Sequence, residues 1–397
     1  MSPIKQSESF KFNFVLLKFF GIWPGCTTNK YYKYYSIVYF VTMLLIYNIL
    51  LTVNLFYTPQ KVELLIREVI FIFTEVVVTT KVLMILLMRE KLVVLFDMLD
   101  DDIFNGEDAI GRDIVLKYNS YYKSYWKMFT VLSLFAYFSQ VFLPIIIYFI
   151  FNVSNPELPI CKYYFLSNQV REKYFWIFLL YQSFGMFGHL IYNVNIDTLM
   201  SGLILMAVAQ LKLLNHNLRN VKFQKNKSKL KVQIQENIQM TRLNQCLKHY
   251  DVLLKYFYKV QEFISVTMFI QFGVASAIIC VVMCGLLLSS TTETMMFMVS
   301  YLFAMTLEIF VPTWLGTQLS YESQELVFAA YNSEWIPRSE SFKRSLRLFM
   351  EHANAPLTLT GLKLFPLCLG TFISIMKTAY SFFTLVRNVQ DSQGEAI

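Results

Sequence analysis

Charge is scarce in this chain. Asp, Glu, Lys and Arg make up only 16% of its 397 residues, against about 25% in soluble domains. The 56% that are hydrophobic fall in long blocks rather than an amphipathic scatter, which excludes an ordinary water-soluble domain. Histidine is also sparse, and His189, His216, His249 and His352 are too widely scattered to form a metal motif. The six cysteines, Cys26, Cys161, Cys246, Cys280, Cys284 and Cys368, contain no C-x-x-C. Cys280 and Cys284 stand one helical turn apart inside an apolar run and read as core residues. There is no P-loop, no G-x-S-x-G, no H-E-x-x-H and no G-x-G-x-x-G. No catalytic residue, metal ligand or cofactor is therefore assigned, and the chain does not read as an enzyme. A cleavable signal peptide is not expected either, because Lys11 and Lys18 interrupt what would be its apolar core. The net charge of +8 does not argue for nucleic acid. The basic residues cluster beside apolar blocks, where membrane orientation accounts for them.

What is present is a series of runs long enough to cross a bilayer as helices, at about 20 residues for ~30 Å of hydrocarbon. They lie at 35–56, 64–88, 126–151, 174–205, 263–288, 295–318 and 364–386. The fold class expected is an all-α membrane protein with seven transmembrane helices. The run at 174–205 is too long for one straight crossing, so its end should project into water. Pro144 and Pro312 mark kinks in two runs. Glu75, Lys81 and Glu308 are charges inside runs, and a carboxylate such as Glu75 is costly in hydrocarbon and is a functional candidate by default.

Between the runs, Leu92, Leu95, Met98 and Leu99 recur at helical spacing in an otherwise charged loop, which predicts an amphipathic helix. A short interfacial helix is expected before Gly21 and Pro24. The chain then divides into an N-terminal segment (1–33), spans one to four with their loops (34–205), a basic helical anchor region (206–262), spans five and six (263–320), amphipathic anchor helices (321–363), span seven (364–387) and a tail (388–397). Residues 1–33, 206–262 and 321–363 hold most of the Lys and Arg and lie on one side. The positive-inside rule puts that side, with the N-terminus, in the cytoplasm and the C-terminus outside. The sequon at Asn152 then falls outside and is a candidate glycosylation site, whereas the one at Asn226 falls inside. A cytoplasmic N-terminus, and the lack of DRY and of NPxxY in the last span, set the chain apart from G-protein-coupled receptors.

The end of the chain carries a more specific signal. Tyr331-Asn-Ser-Glu-Trp335, Ala355-Pro-Leu-Thr-Leu-Thr360, Phe365-Pro-Leu and Thr378-Ala-Tyr-Ser-Phe-Phe-Thr-Leu-Val-Arg387 together resemble the C-terminal region of insect odorant receptors. Gly361 stands where that family often has Ala. The T-Y…Q-F ending of gustatory receptors is only half matched, since no Gln-Phe follows Tyr380.

The resemblance implies the ligand-binding subunit of an odorant-gated, non-selective cation channel. It would assemble as a hetero-oligomer, with tetramer the family pattern, together with the odorant-receptor co-receptor in the plasma membrane of sensory neurons. It also implies a pocket for a small volatile organic molecule in the outer half of the bundle, formed by Phe71, Phe73, Thr74, Phe135, Phe138, Ser139, Phe142, Tyr181, Phe184, Gly185, Phe297, Met298 and Tyr301. Span seven would line the pore, with Met376, Tyr380, Phe383, Thr384 and Val386 toward the conduction path. The alternatives are a gustatory-type channel working without the co-receptor, or a secondary transporter. No inverted repeat supports the transporter.

Overall fold

In hydrocarbon every backbone N–H and C=O must find its partner within the protein, so apolar runs of this length fold as helices. A computed structural model of the chain describes residues 4–23, 31–151, 158–221, 229–288 and 292–394. Asn152, Asn226 and Cys26 lie outside the described residues, as does most of the 225–229 link between the anchor helices.

The helices are α1 (Lys11–Phe19), α2 (Tyr31–Phe40), α3 (Ile46–Tyr57), α4 (Val62–Leu87), α5 (Arg89–Leu99), α6 (Ala109–Phe151), α7 (Asn168–Lys173), α8 (Phe175–Arg219), α9 (Lys229–Leu288), α10 (Thr292–Tyr331), α11 (Glu340–Ala353) and α12 (Leu369–Gly394). A π-helical turn, Val41–Leu45, joins α2 to α3 into one span, Tyr31–Tyr57. Among the described residues six helices are long and apolar enough to cross a membrane, and α6 contains the remaining expected run at 126–151. The all-α architecture is as expected.

Helix length is the main feature that the run boundaries did not convey. At 1.5 Å per residue, a membrane core of ~30 Å takes about 20 residues, yet α8 has 45 residues and α9 has 60. Both run unbroken across the expected borders at 205/206 and 262/263, and α10 runs across 320/321. One stiff helix therefore serves as both span and anchor.

At the centre stands α8, which touches α1, α4, α6, α9 and α10. Among the six candidate spans its apolar window is buried most, at 94%, whereas that of α12 is buried least, at 6%. The amphipathic helix expected at 92–99 is α5, which buries Leu92, Leu95 and Leu99. The expected interfacial helix is α1. With Phe10 just before it, it buries Leu17 against the main core and leaves Phe12, Val15 and Phe19 exposed, and Gly21 follows its end at φ +80°.

The motif before the last span forms a small hairpin. β1 (Thr360–Gly361) and β2 (Phe365–Pro366) pair antiparallel across a turn in which Leu362 and Lys363 both take positive φ. Gln261 of α9 clamps Thr360 through its main-chain N–H and C=O, at 2.8 and 2.7 Å. A side-chain carbon at Gly361 would stand 2.7 Å from the Phe365 ring, so glycine suits this hairpin. The hairpin delivers Leu369 N–H to the Thr317 hydroxyl at 2.9 Å, which fixes the start of α12.

Candidate functional site

Four of the expected pocket residues converge between α4 and α10. Phe71, Phe297 and Tyr301 form a ring triangle with centroids 5.6 to 6.3 Å apart, and the Tyr301 hydroxyl is hydrogen-bonded to Thr74. Thr74 also donates to Ile70 O at 2.9 Å. The Arg67 guanidinium lies 5.5 Å over the Phe297 ring. Across the cluster, Tyr181 of α8 lies 6.0 Å from Tyr47 and donates to Thr42 O at 2.8 Å. Gly185 leaves the space that the Tyr47 ring fills. Phe71 is buried in the same apolar cluster as Tyr47, with Tyr181 and Phe297 packed against it.

A loop closes this cluster. Leu158, Ile160, Cys161 and Tyr163 are buried in it. Gln182 holds the loop, accepting from Ile160 N–H at 3.2 Å and donating to Cys161 O at 2.8 Å. Arg67 donates to Pro159 O at 2.9 Å. Apolar ring faces with a few hydroxyls suit a small, weakly polar molecule, for which burial and dispersion would supply the affinity.

The other expected members are placed differently. Met298 is buried, with its sulfur and terminal methyl toward Gly285 of α9. Phe73 packs on the main core from an intermediate position. Phe135, Phe138, Ser139, Phe142 and Phe184 are exposed on the outside of the bundle. On α6 the inward residue is Tyr137, whose hydroxyl donates to Ser183 O at 2.9 Å. Spacing alone could not fix the rotation of α6, because both of its faces are aromatic.

Below the aromatic cluster lies a polar core within the spans. The Lys81 ammonium reaches Asp197 Oδ1 of α8 and Glu308 Oε1 of α10, both at 2.7 Å, and Asn193 Oδ1 at 2.6 Å. Gln271 of α9 donates to Glu308 Oε1 at 3.0 Å. Higher on α4, Glu75 pairs with Nδ1 of His189, whose Nε2 meets Met43 O. The in-span charges Glu75, Lys81 and Glu308 are thus all partnered. Asp197, His189 and Tyr47 were missed as site residues. An acid inside an apolar run was the available signal for Asp197, whereas nothing in the sequence distinguishes Tyr47.

On α12, Tyr380 and Phe383 stack at 6.3 Å. Tyr380 is exposed, whereas Met376, Phe383, Thr384 and Val386 are intermediate. On α11, in the expected anchor segment, Leu346 and Phe349 are buried within the chain itself and Leu348 is exposed.

Comparison with known proteins bears on this arrangement. A family model described as 7tm odorant receptor matches residues 61–380. Odorant receptor 59a of Drosophila melanogaster is 32% identical over 138 residues, which is 34% of this chain and 35% of that protein. Odorant receptor 42a of the same species is 28% identical over 152 residues, 38% of this chain and 37% of that protein. The match thus spans only about a third of these relatives' length. In fold, the chain is similar to the olfactory receptor OR5 of Machilis hrabei solved in complex with eugenol. The TM-score is 0.79 at 17% identity, covering 97% of this chain and 98% of that one.

Proposed function

This chain belongs to the 7tm odorant receptor family, and we propose that, as an odorant receptor, it is the ligand-recognising subunit of a cation channel assembled with the odorant-receptor co-receptor. The observation that carries this proposal is the loop-covered aromatic cluster of Phe71, Tyr181, Phe297 and Tyr301, with Thr74 at its edge. It offers an apolar site of the kind that small volatile molecules require, and the similarly folded OR5 was solved in complex with eugenol. Gly185 supports the cluster by making room for the Tyr47 ring, whereas Phe73 and Met298 back it from the main core. The exposed Phe135, Phe138, Ser139, Phe142 and Phe184 face outward and belong to the proposal only as an approach route.

The proposed pore is lined by α12. Its apolar face is almost uncovered within one chain, which suits a helix whose neighbours come from other subunits. Met376, Tyr380, Phe383, Thr384 and Val386 would form the wall, with Phe383 at the constriction. The basic anchor side would be cytoplasmic, the C-terminus and Asn152 external, and the receptor would sit in the plasma membrane of sensory neurons.

The test is a panel of volatile molecules applied to cells expressing this chain with the co-receptor, with this chain alone, and with the co-receptor alone. Ligand-dependent cation current in the first case only is the expected result. Current from this chain alone would replace the co-receptor assembly with a self-sufficient channel.

A further inference from the structure

The polar core contains an imbalance. Lys81, Asp197 and Glu308 sum to one excess negative charge inside the spans when all are ionised. The three ammonium protons of Lys81 have three acceptors, Asn193, Asp197 and Glu308, so none is left for other oxygens. Besides the ion-paired oxygens, two further buried acceptors of this polar core nevertheless lack a hydrogen-bond partner among the described residues. They are Asp197 Oδ2 and Gln271 Oε1, on side chains whose residues are 6% and 2% exposed. Gln271 has turned its amide nitrogen to Glu308, which leaves its oxygen over.

Both residues line one small cavity between α6, α8, α9 and α10, whose walls include Tyr125, Ser201, Glu308 and Pro312. Lys81 is not among its walls. Pro312 has no N–H, so the main-chain carbonyl of Glu308, four residues before it, lacks its usual helical donor. The cavity volume of about 10 Å³ corresponds to a single water-sized occupant. A water molecule could satisfy two acceptors but would leave the charge uncompensated, and in low dielectric an uncompensated charge is the larger cost.

We propose that this cavity binds one small monovalent cation, sodium by size and charge. Its ligands are Asp197 Oδ2, Gln271 Oε1, the Ser201 hydroxyl and the Glu308 main-chain carbonyl. All are hard oxygen donors, the type that such ions take. One positive charge neutralises the triad, whereas a divalent ion would overshoot it. The site joins three helices at the depth of Pro312 in α10, so occupancy stiffens the bundle. The assignment goes beyond the odorant-receptor proposal and needs no odorant.

The experiment uses the purified full chain in detergent at constant ionic strength, with sodium exchanged for potassium or choline at fixed pH. The melting temperature should rise by about 2 °C or more between 1 and 150 mM sodium and respond less to the other ions. Radioactive sodium should bind at one ion per chain. Ser201→Ala keeps every charge and should fold normally, yet bind sodium at least tenfold more weakly. Gln271→Met should abolish saturable binding. If potassium and choline stabilise as well as sodium, the proposal is wrong. It fails equally if only lowered pH stabilises the chain, which would mean that the cavity takes a proton. Unchanged sodium affinity in Ser201→Ala and Gln271→Met would also overturn it.

Discussion

Lys81 and Glu308 lie 227 positions apart, yet their charged atoms meet at 2.7 Å with almost no solvent exposure. The pair ties α4 to α10 through the middle of the bundle, and Asp197 of α8 completes the junction. Removing the cation would leave two carboxylates facing each other in hydrocarbon. Lys81→Met is therefore expected to destabilise the chain by about 3–5 kcal/mol, the scale for breaking a buried pair. The triple variant Lys81→Met, Asp197→Asn, Glu308→Gln should regain most of that loss. Melting curves in detergent and surface yield measure both. A Lys81→Met chain as stable as the parent would refute the structural role of the triad.

The aromatic cluster predicts graded effects on sensitivity. Tyr301→Ala and Tyr181→Ala each remove a half-buried ring, worth about 1–3 kcal/mol, or roughly a five- to hundredfold shift in the half-maximal odorant concentration. Tyr301→Phe keeps the ring and loses only the bond to Thr74, so its shift should be smaller. Dose–response curves from cells with matched surface expression decide this. Unchanged curves for both alanine variants would move the binding site elsewhere.

For the pore, Phe383→Ala should raise resting current or alter cation selectivity, because an apolar ring blocks ions by dewetting. Thr384→Ala should do less. A thiol reagent should modify Phe383→Cys faster with odorant present than without. Equal inertness in both states, with parent-like conduction of the alanine variant, would make α12 a packing helix.

Topology can be read by staining. A C-terminal epitope tag should be accessible on intact cells, and an N-terminal tag only after permeabilisation. Asn152→Gln should abolish a glycan-dependent gel shift, whereas Asn226→Gln should leave mobility unchanged. A glycan on Asn226 would contradict a cytoplasmic anchor.

The anchor region carries a pH dependence. His249 is buried, with Nε2 3.1 Å from Gln210 Oε1, and burial pulls its pKa down from 6.5 to about 4. The unfolded chain therefore takes up a proton at a pH where the folded chain does not. The stabilising contribution is complete above pH 6.5 and is lost as pH falls toward 4. Between pH 6.5 and 5 the loss should approach about 2 kcal/mol. His249→Gln should flatten this part of the stability profile measured by thermal unfolding. An identical slope in the variant would assign the dependence to other groups.

How much of this was legible follows from what each signal encodes. Runs of apolar residues report length in hydrocarbon, so the membrane helices could be read directly. They do not report where a helix ends in water: the excess of the 174–205 run was expected to project beyond the membrane, but not that α8 would continue unbroken to Arg219. The motif residues between 355 and 367 stood out by resemblance alone, and neither the hairpin they form, where anchor helix and span were expected, nor the clamp of Gln261 on Thr360 was visible. Rotation was the weakest point. On α6, Phe135, Tyr137, Phe138 and Phe142 are all aromatic, and only the neighbouring Ser183 and Phe187 select Tyr137 as the inward residue. Asp197 was overlooked because it sits in the longest run, where a single acid barely changes the average.

The burial of α8 also has a consequence for biosynthesis. A helix leaving the translocon alone would expose Asp197 to lipid, at a cost of about 2.5–3.5 kcal/mol near the membrane centre. Chain order eases this. Lys81 is synthesised before Asp197, so α4 can already be waiting as its counter-ion, and the pair is neutral when α8 enters. Gln271 and Glu308 come later, on α9 and α10. The second carboxylate therefore arrives only when a neutral pair and an amide donor are already in place to receive it.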